Sequence, residues 1–285
     1  MRAVIIDFHT HVFPPEVSKN RKKYIERDPC FAILYSDPKA KMATAEELIA
    51  DMDKAGVDVS VILNIGWTTH ELCVETNDYI IDAVSRYPRR LVGFGAVQPN
   101  SPRAAVAEIE RCAKAGLKGV GEMRPDIQLF DLGDEMVMDP LADALREHKL
   151  AILLHASEPL GHDYPGKGIL FPDVLYPFIA DHPGLPVICA HWGGGLPFYA
   201  LMPEVKKALA NVYFDSAASP FLYTPQVYKQ VIELVGAERV LFGSDYPLLK
   251  PKRLLDEIET LGLAEETKNL VLAGNARRLL GLEDS

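Results

Sequence analysis

The segment IIDFHTHVF places two histidines, His9 and His11, one residue apart at the end of a short apolar run. Side chains alternate along an extended strand, so residues two apart share a face. Asp7, His9 and His11 are therefore expected on one face, and Phe8, Thr10 and Val12 on the other. Two neutral imidazoles on one face suit a shared metal ion, because imidazole nitrogen is a common ligand for zinc and similar metals. The alternative is a pair of strand-end histidines, each satisfied by a hydrogen bond.

Four more residues able to ligate a metal or move a proton end apolar runs in the same way. They are Glu122 in LKGVGEM, His155 in AILLHAS, His191 in PVICAHW and Asp245 in RVLFGSDY. Strand propensity does not call for any of them. If these runs converge, the residues assemble a mononuclear or binuclear metal site.

The elements that would make them converge are legible. Residues 3–8 (AVIIDF) are β-branched and apolar and read as a strand. In ATAEELIADMDKAG, Thr44 and Glu47 form a capping box, Leu48, Ile49, Met52 and Ala55 make one apolar face, and Gly56 ends the helix. Further strands are expected over 57–65, 91–97, 117–123, 151–157, 186–192, 211–217 and 239–246. Helices are expected over 71–86, 102–115, 140–148, 173–181, 197–210, 225–235, 254–261 and 265–280. Residues 12–43 read as a long irregular insertion after the first strand, a candidate lid, with the basic run KNRKKYIER within it. Eight near-continuously apolar strands alternating with helices predict one (β/α)8 barrel domain across 1–285, and the family resemblance given below implies the metal-dependent hydrolase type of that barrel. A doubly wound sheet would favour a glycine-rich phosphate loop after the first strand, and HTHVFPP is not one. In a barrel the C-terminal strand ends share one mouth, where all six residues would lie.

Composition narrows the partners. The 285 residues are 48% hydrophobic with a formal net charge of −10, which argues against a general nucleic-acid or anionic-membrane surface. Cys30, Cys73, Cys112 and Cys189 are scattered with no CxxC pair, so a disulfide framework or thiolate zinc site is not expected and a cytoplasmic setting fits. No signal peptide or membrane span is expected. The expected partner is a small-molecule substrate, with a homodimer as the default assembly.

The stretches IIDFHTHVFPPE, EELIADMDKAGVDVSVI, RLVGFGAVQP, ILLHASEP, VICAHWGGGLPF and VLFGSDYP resemble the amidohydrolase superfamily. The likeness is to its amidohydrolase-related group, which includes aminocarboxymuconate-semialdehyde decarboxylase and its relatives. It spans almost the whole chain. It implies that His9, His11 and His155 are metal ligands, that His191 lies near the reacting group, and that Asp245 touches the metal and moves protons. Strand four departs from the pattern. Many binuclear members carry a carboxylated lysine there, whereas this strand ends in Glu122, with Lys118 at its far end. A glutamate in that place is similar to the metal-bridging carboxylate of TatD-type nucleases, and the decarboxylases lack it. The expected activity is therefore hydrolysis of a small amide, ester or lactone by metal-activated water, with zinc as the ion, manganese, iron or nickel as alternatives, and room for a second ion. Asp245 would shuttle the proton and His191 would donate to the developing oxyanion. Non-oxidative decarboxylation of an aromatic or enoic acid is the alternative reaction, and a non-catalytic metal-binding barrel the third reading.

Lesser candidates surround this set. Asp7 is expected either to hold the second nitrogen of a ligand histidine or to form a salt bridge in the barrel. Arg124 is a candidate clamp for a substrate carboxylate or a salt-bridge partner. Trp192, His162 and Tyr164 are candidate substrate contacts, and Gly193, Gly194 and Gly195 read as a tight turn. His70, His148 and His182 fall on the outer ring and are expected to be structural.

Overall fold

A computed structural model describes residues 3–282. Eight strands form one parallel sheet in sequence order: β1 (Ile6–His11), β2 (Val59–Leu63), β3 (Leu91–Gly95), β4 (Gly119–Met123), β5 (Ala151–Leu154), β6 (Val187–Cys189), β7 (Val212–Asp215) and β8 (Val240–Leu241). The chain beyond β8 returns to β1: Phe8 N donates to Phe242 O at 2.7 Å, Asp245 N to His9 O at 2.9 Å, and His11 N to Tyr246 O at 2.7 Å. These bonds close the sheet into a (β/α)8 barrel.

Alternation sorts the strand residues into two apolar layers. Phe8, Leu63, Phe94, Leu153, Ala190 and Leu241 fill the lumen, with Ala276 and Leu280 of the last helix packed against them. Ile152, Leu154, Val187, Val212 and Phe214 face the surrounding helices. The capping box at Thr44 and Glu47 is formed, and Gly56 ends that helix in the left-handed conformation.

Two strands break the alternation. On β1, Asp7 pairs with Ser60 and Thr10 with Ile62, three steps against two. On β4, Val120 pairs with Ile152 and Met123 with Leu154, again three against two. Each is a one-residue bulge, which turns two consecutive residues to the same side. On β1 both Phe8 and His9 point inward, and Asp7 is turned out of the lumen. On β4 the bulge brings Glu122 inward. The expectation that Asp7 shares a face with His9 and His11 is thereby corrected.

The insertion over 12–43 is also more ordered than expected. It folds into three short helices, Pro15–Lys19, Arg21–Arg27 and Pro29–Tyr35. They are too short to show periodicity, but Asp28 and Pro29 carry a start signal: the Asp28 carboxylate accepts from Phe31 N at 2.8 Å, with proline in the first turn. Asp28 also accepts from Thr68 N (2.8 Å) and Thr68 Oγ1 (2.7 Å), tying the insertion to the loop after β2. Phe31 stacks on Trp67 with centroids 5.6 Å apart, and Phe13, Tyr24 and Tyr35 complete the cluster.

Other boundaries move. The helix expected from Pro140 begins at Glu135, capped by Asp134, and carries Pro140 inside it. The helix expected over 197–210 shrinks to Pro203–Ala208, because residues 191–201 form tight turns with Trp192 to Gly195 all at positive φ.

Candidate metal centre and active site

The strand ends bring five of the expected residues together with Glu122 at the mouth. His9 Nε2 lies 3.1 Å from His11 Nε2 and 3.8 Å from Asp245 Oδ1, and His11 Nε2 lies 3.5 Å from the same oxygen. Glu122 Oε2 is 3.9 Å from His9 Nε2 and 3.7 Å from His11 Nε2. On the other side of the carboxylate, Glu122 Oε1 is 2.7 Å from His155 Nδ1 and 3.2 Å from His191 Nε2. Two buried groups result, His9–His11–Glu122 and Glu122–His155–His191, each with its ligand atoms within 4.8 Å of one another.

The donor set fits a metal ion. Bonds of about 2.0–2.2 Å set neighbouring ligands roughly 3.0–3.6 Å apart, close to the spacing of His9, His11 and Asp245. The tautomer agrees. His9 Nδ1 lies 2.8 Å from Asp215 Oδ2, so its Nδ1 proton is held there and Nε2 is the nitrogen left to ligate an ion.

Asp215 ends β7 and is fully buried. It also accepts from His191 N and Ala217 N, both at 3.0 Å. It was missed in the sequence, although its signal, a carboxylate closing the apolar run VYFD, is the one that marked the others. Asp7 plays neither of its expected parts: its carboxylate accepts from Ser244 N (2.8 Å) and Ser244 Oγ (2.6 Å), and burial, opposed by these bonds, raises its pKa to about 7.

Charge in the site follows from burial and close carboxylates. Burial works against a charged His9, but Asp215, Glu122 and Asp245 outweigh it and raise its pKa to about 9. Burial likewise opposes charge on His191, yet Glu122 and Asp245 raise it to about 10. His155 moves the other way, to about 4, because burial and the nearby Arg124 guanidinium outweigh Glu122. Burial raises the pKa of both Glu122 and Asp245, but the histidines prevail and hold both carboxyls below their ordinary values.

His191 and Asp245 also share a backbone feature. Both adopt positive φ, 54° and 66°, although neither is glycine. Such positions cost about 1 kcal/mol or more and cluster where function fixes the chain. Asp215 and the His9 carbonyl, which bind their two amides, hold them there.

The remaining candidates separate. Arg124 is buried and ion-paired with Asp126, Nη2 to Oδ2 at 2.9 Å, so the salt bridge is formed. Trp192 lies in the apolar layer between barrel and helices, its indole N–H on Ser219 Oγ at 2.9 Å and its ring edge-on to Tyr228, which corrects its reading as a substrate contact. His162 is exposed in its loop, its ring centroid 5.6 Å from that of Tyr164. Tyr164 is half-buried, and burial pushes its phenol up to about 12. The glycine turn holds: a Cβ on Gly194 would sit 2.2 Å from Ser157 O. Two further residues come close without a sequence signal. Ser157 Oγ lies 3.3 Å from His155 Nε2. Tyr35, from the insertion, is buried where Asp245 and Glu122 act on it.

Comparison with known proteins bears on the reaction. The chain is 23% identical to 2-amino-3-carboxymuconate-6-semialdehyde decarboxylase of Dictyostelium discoideum, over 99% of this chain and 93% of that one. It is 24% identical to gamma-resorcylate decarboxylase of a Polaromonas species, over 75% and 77%. In structure it is similar to 5-carboxyvanillate decarboxylase of Novosphingobium aromaticivorans, solved with manganese and 3-methoxy-4-hydroxy-5-nitrobenzoic acid: TM-score 0.81, 21% identity, 98% and 97% coverage. The expectation of hydrolysis is overturned by the decarboxylase relatives. It rested mainly on Glu122, and one ligand set can serve either reaction. No helix among the described residues is long and apolar enough to cross a membrane. The family model described as Amidohydrolase matches residues 6–282, and the chain belongs to that family.

Proposed function

We propose that this protein is a metal-dependent, non-oxidative decarboxylase of a small aromatic or enoic carboxylic acid. The observation that carries the reading is the buried His9–His11–Glu122 group with Asp245 beside it, in a chain similar over 93% and 77% of their lengths to two decarboxylases. His9, His11, Asp245 and Glu122 would hold a divalent ion, with manganese or zinc suited to nitrogen and oxygen donors. Such an ion supplies a positive centre for the substrate's carboxylate and a neighbouring hydroxyl or amino group. The chain's own residues do the rest. Asp245, ionised in this site, takes a proton from the substrate or from water and delivers it to the carbon that loses carbon dioxide. In the balance, the C–C bond breaks, carbon dioxide leaves, and that proton replaces it on carbon. His191, held by Ala217 O at 3.1 Å, steadies developing charge on the substrate. Arg124, already engaged by Asp126, sets the field at the mouth and is not a free carboxylate clamp. Four free, buried cysteines support a reducing, cytoplasmic setting.

The test is a panel of ortho-hydroxybenzoates and amino- or hydroxy-substituted enoic acids, offered to manganese- and zinc-loaded protein in deuterated water. Carbon dioxide release with one deuterium on the vacated carbon is expected. Turnover of lactones or amides with no carbon dioxide from any acid would refute the reading.

A further inference from the structure

We propose that Asn77, acting through Asn64, is a positioning residue for the carboxylate of Glu122. The inference rests on the reading of Glu122 as a holder of the ion, and adds what fixes that carboxylate in place.

The ground for it is a bond between strands that are not neighbours. β3 lies between β2 and β4 in the sheet, and its last pairs are Ile62 with Gly93 on one side and Gly95 with Val120 on the other. Past them, Glu122 N donates directly to the carbonyl of Asn64, the residue after β2, at 2.9 Å. That bond falls within the β4 bulge that brings Glu122 inward, so the position of Asn64 sets the position of the Glu122 backbone. The chain leaving β3 then needs other partners. Asn77, on the helix His70–Arg86, supplies both: its Oδ1 accepts from Ala96 N at 2.7 Å, and its Nδ2 donates to Ala96 O at 2.8 Å.

The Ala96 backbone has one donor and one acceptor, which fixes the way the Asn77 amide points. The other two positions of that amide are also filled. Oδ1 accepts from Asn64 Nδ2 at 2.9 Å, and Nδ2 donates to Glu108 Oε1 at 2.7 Å. The Glu108 carboxylate is itself held by Arg111 Nε and Nη2 at 2.8 and 2.7 Å. Asn64 Oδ1 is left facing the Trp67 indole N–H at 3.4 Å. Asn64, Asn77 and Glu108 are all buried, beside an apolar layer that includes Ile62, Ile80 and Leu117. An apolar side chain would fill the same space. A fully bonded amide does more, because it specifies one arrangement and leaves costly unpaired groups in any other.

A similar clip at the other end of the barrel provides the control. Asn275 is also fully buried, and its Nδ2 donates to Ala237 O and Val240 O, both at 2.7 Å, where β8 begins. Full-length wild type, Asn64→Ala, Asn77→Leu, Asn275→Leu and Glu122→Gln are compared with Mn2+ as the probe. The readouts are Mn2+ affinity by chelator competition, the electron paramagnetic resonance spectrum of the bound ion, and Tm of the metal-free protein. Asn77→Leu and Asn275→Leu should both lower Tm. Asn77→Leu and Asn64→Ala should weaken Mn2+ binding by about tenfold or more and change the spectrum, while Asn275→Leu alters neither. Asn64→Ala leaves Asn77 on Ala96, so it reads the link to Glu122 even if Asn77→Leu does not fold. Unchanged affinity in Asn64→Ala, or an equal loss in Asn275→Leu, overturns the inference. If Glu122→Gln alone weakens binding, Glu122 remains a ligand and only this inference falls. If Glu122→Gln binds as wild type does, or wild type binds no Mn2+, both fall.

Discussion

Asp215 and Asp7 are both fully buried near His9, yet only Asp215 grips its imidazole. Partners of this kind fix the tautomer and orientation of a ligand, and losing one typically costs about 10–100-fold in metal affinity. Asp215→Asn is therefore expected to weaken metal retention by at least about tenfold, while Asp7→Asn changes it by less than about threefold. Competition with a chelator measures both, and equal effects would remove the distinction. Asp245 tests the chemistry itself. Asp245→Asn keeps the shape and one ligand oxygen but cannot carry the proton, so kcat should fall by about 10²-fold or more. Retention of more than about a third of kcat would pass the role to His191.

At the scale of elements, strands and helices were legible because hydrophobic runs and caps are local signals. The Thr44–Glu47 box and the six strand-end candidates needed only spacing and residue type. Bulges are not local in that sense. The sequences IDFHTH and GVGEM carry no mark of the extra residue, which shows only in pairing with β2 and β5. That is why Asp7 was misplaced; Asp215, on the regular strand β7, carried the same local signal as the others and was missed without that excuse. Gly121 makes the β4 bulge testable. A Cβ there would lie 2.5 Å from Leu153 O and 2.7 Å from Leu153 Cβ, and its φ is +148°. Gly121→Ala should cost about 1–3 kcal/mol and shift Glu122, lowering metal content as well as Tm. Gly116→Ala is the control: φ is +90° but nothing lies within 4 Å, so stability should fall without metal loss. Full metal occupancy in Gly121→Ala would show that Glu122 does not depend on this turn.

The whole molecule closes where its end meets its beginning. The segment that carries Asp245 is hydrogen-bonded to β1 and anchored outside the barrel by Asp51, on the helix Ala45–Ala55. Asp51 accepts from Tyr246 OH at 3.0 Å and from Lys54 at 3.1 Å, and is paired with Lys250, whose ammonium also lies over the Tyr246 ring. The Tyr246 and Lys250 contacts join positions 195 and 199 residues apart. Partial burial raises the Asp51 pKa, but Lys250, Lys54 and Tyr246 prevail and hold it down at about 2. A carboxyl depressed in the folded state stabilises above its unfolded pKa, and that stability is lost as pH falls towards the folded value. Asp51→Asn should therefore cost about 1–2 kcal/mol at pH 7, less than the full shift implies because Lys250 is half exposed and screened by solvent. The gap from wild type should stay level from about pH 8 down to 5 and narrow as pH falls through about 4 towards 2. Urea unfolding at stepped pH reads it directly. Equal stability at pH 7, or a gap that does not narrow below pH about 4, would show that the seam is held by the hydrogen bonds between β1 and residues 242–246 and not by this carboxylate.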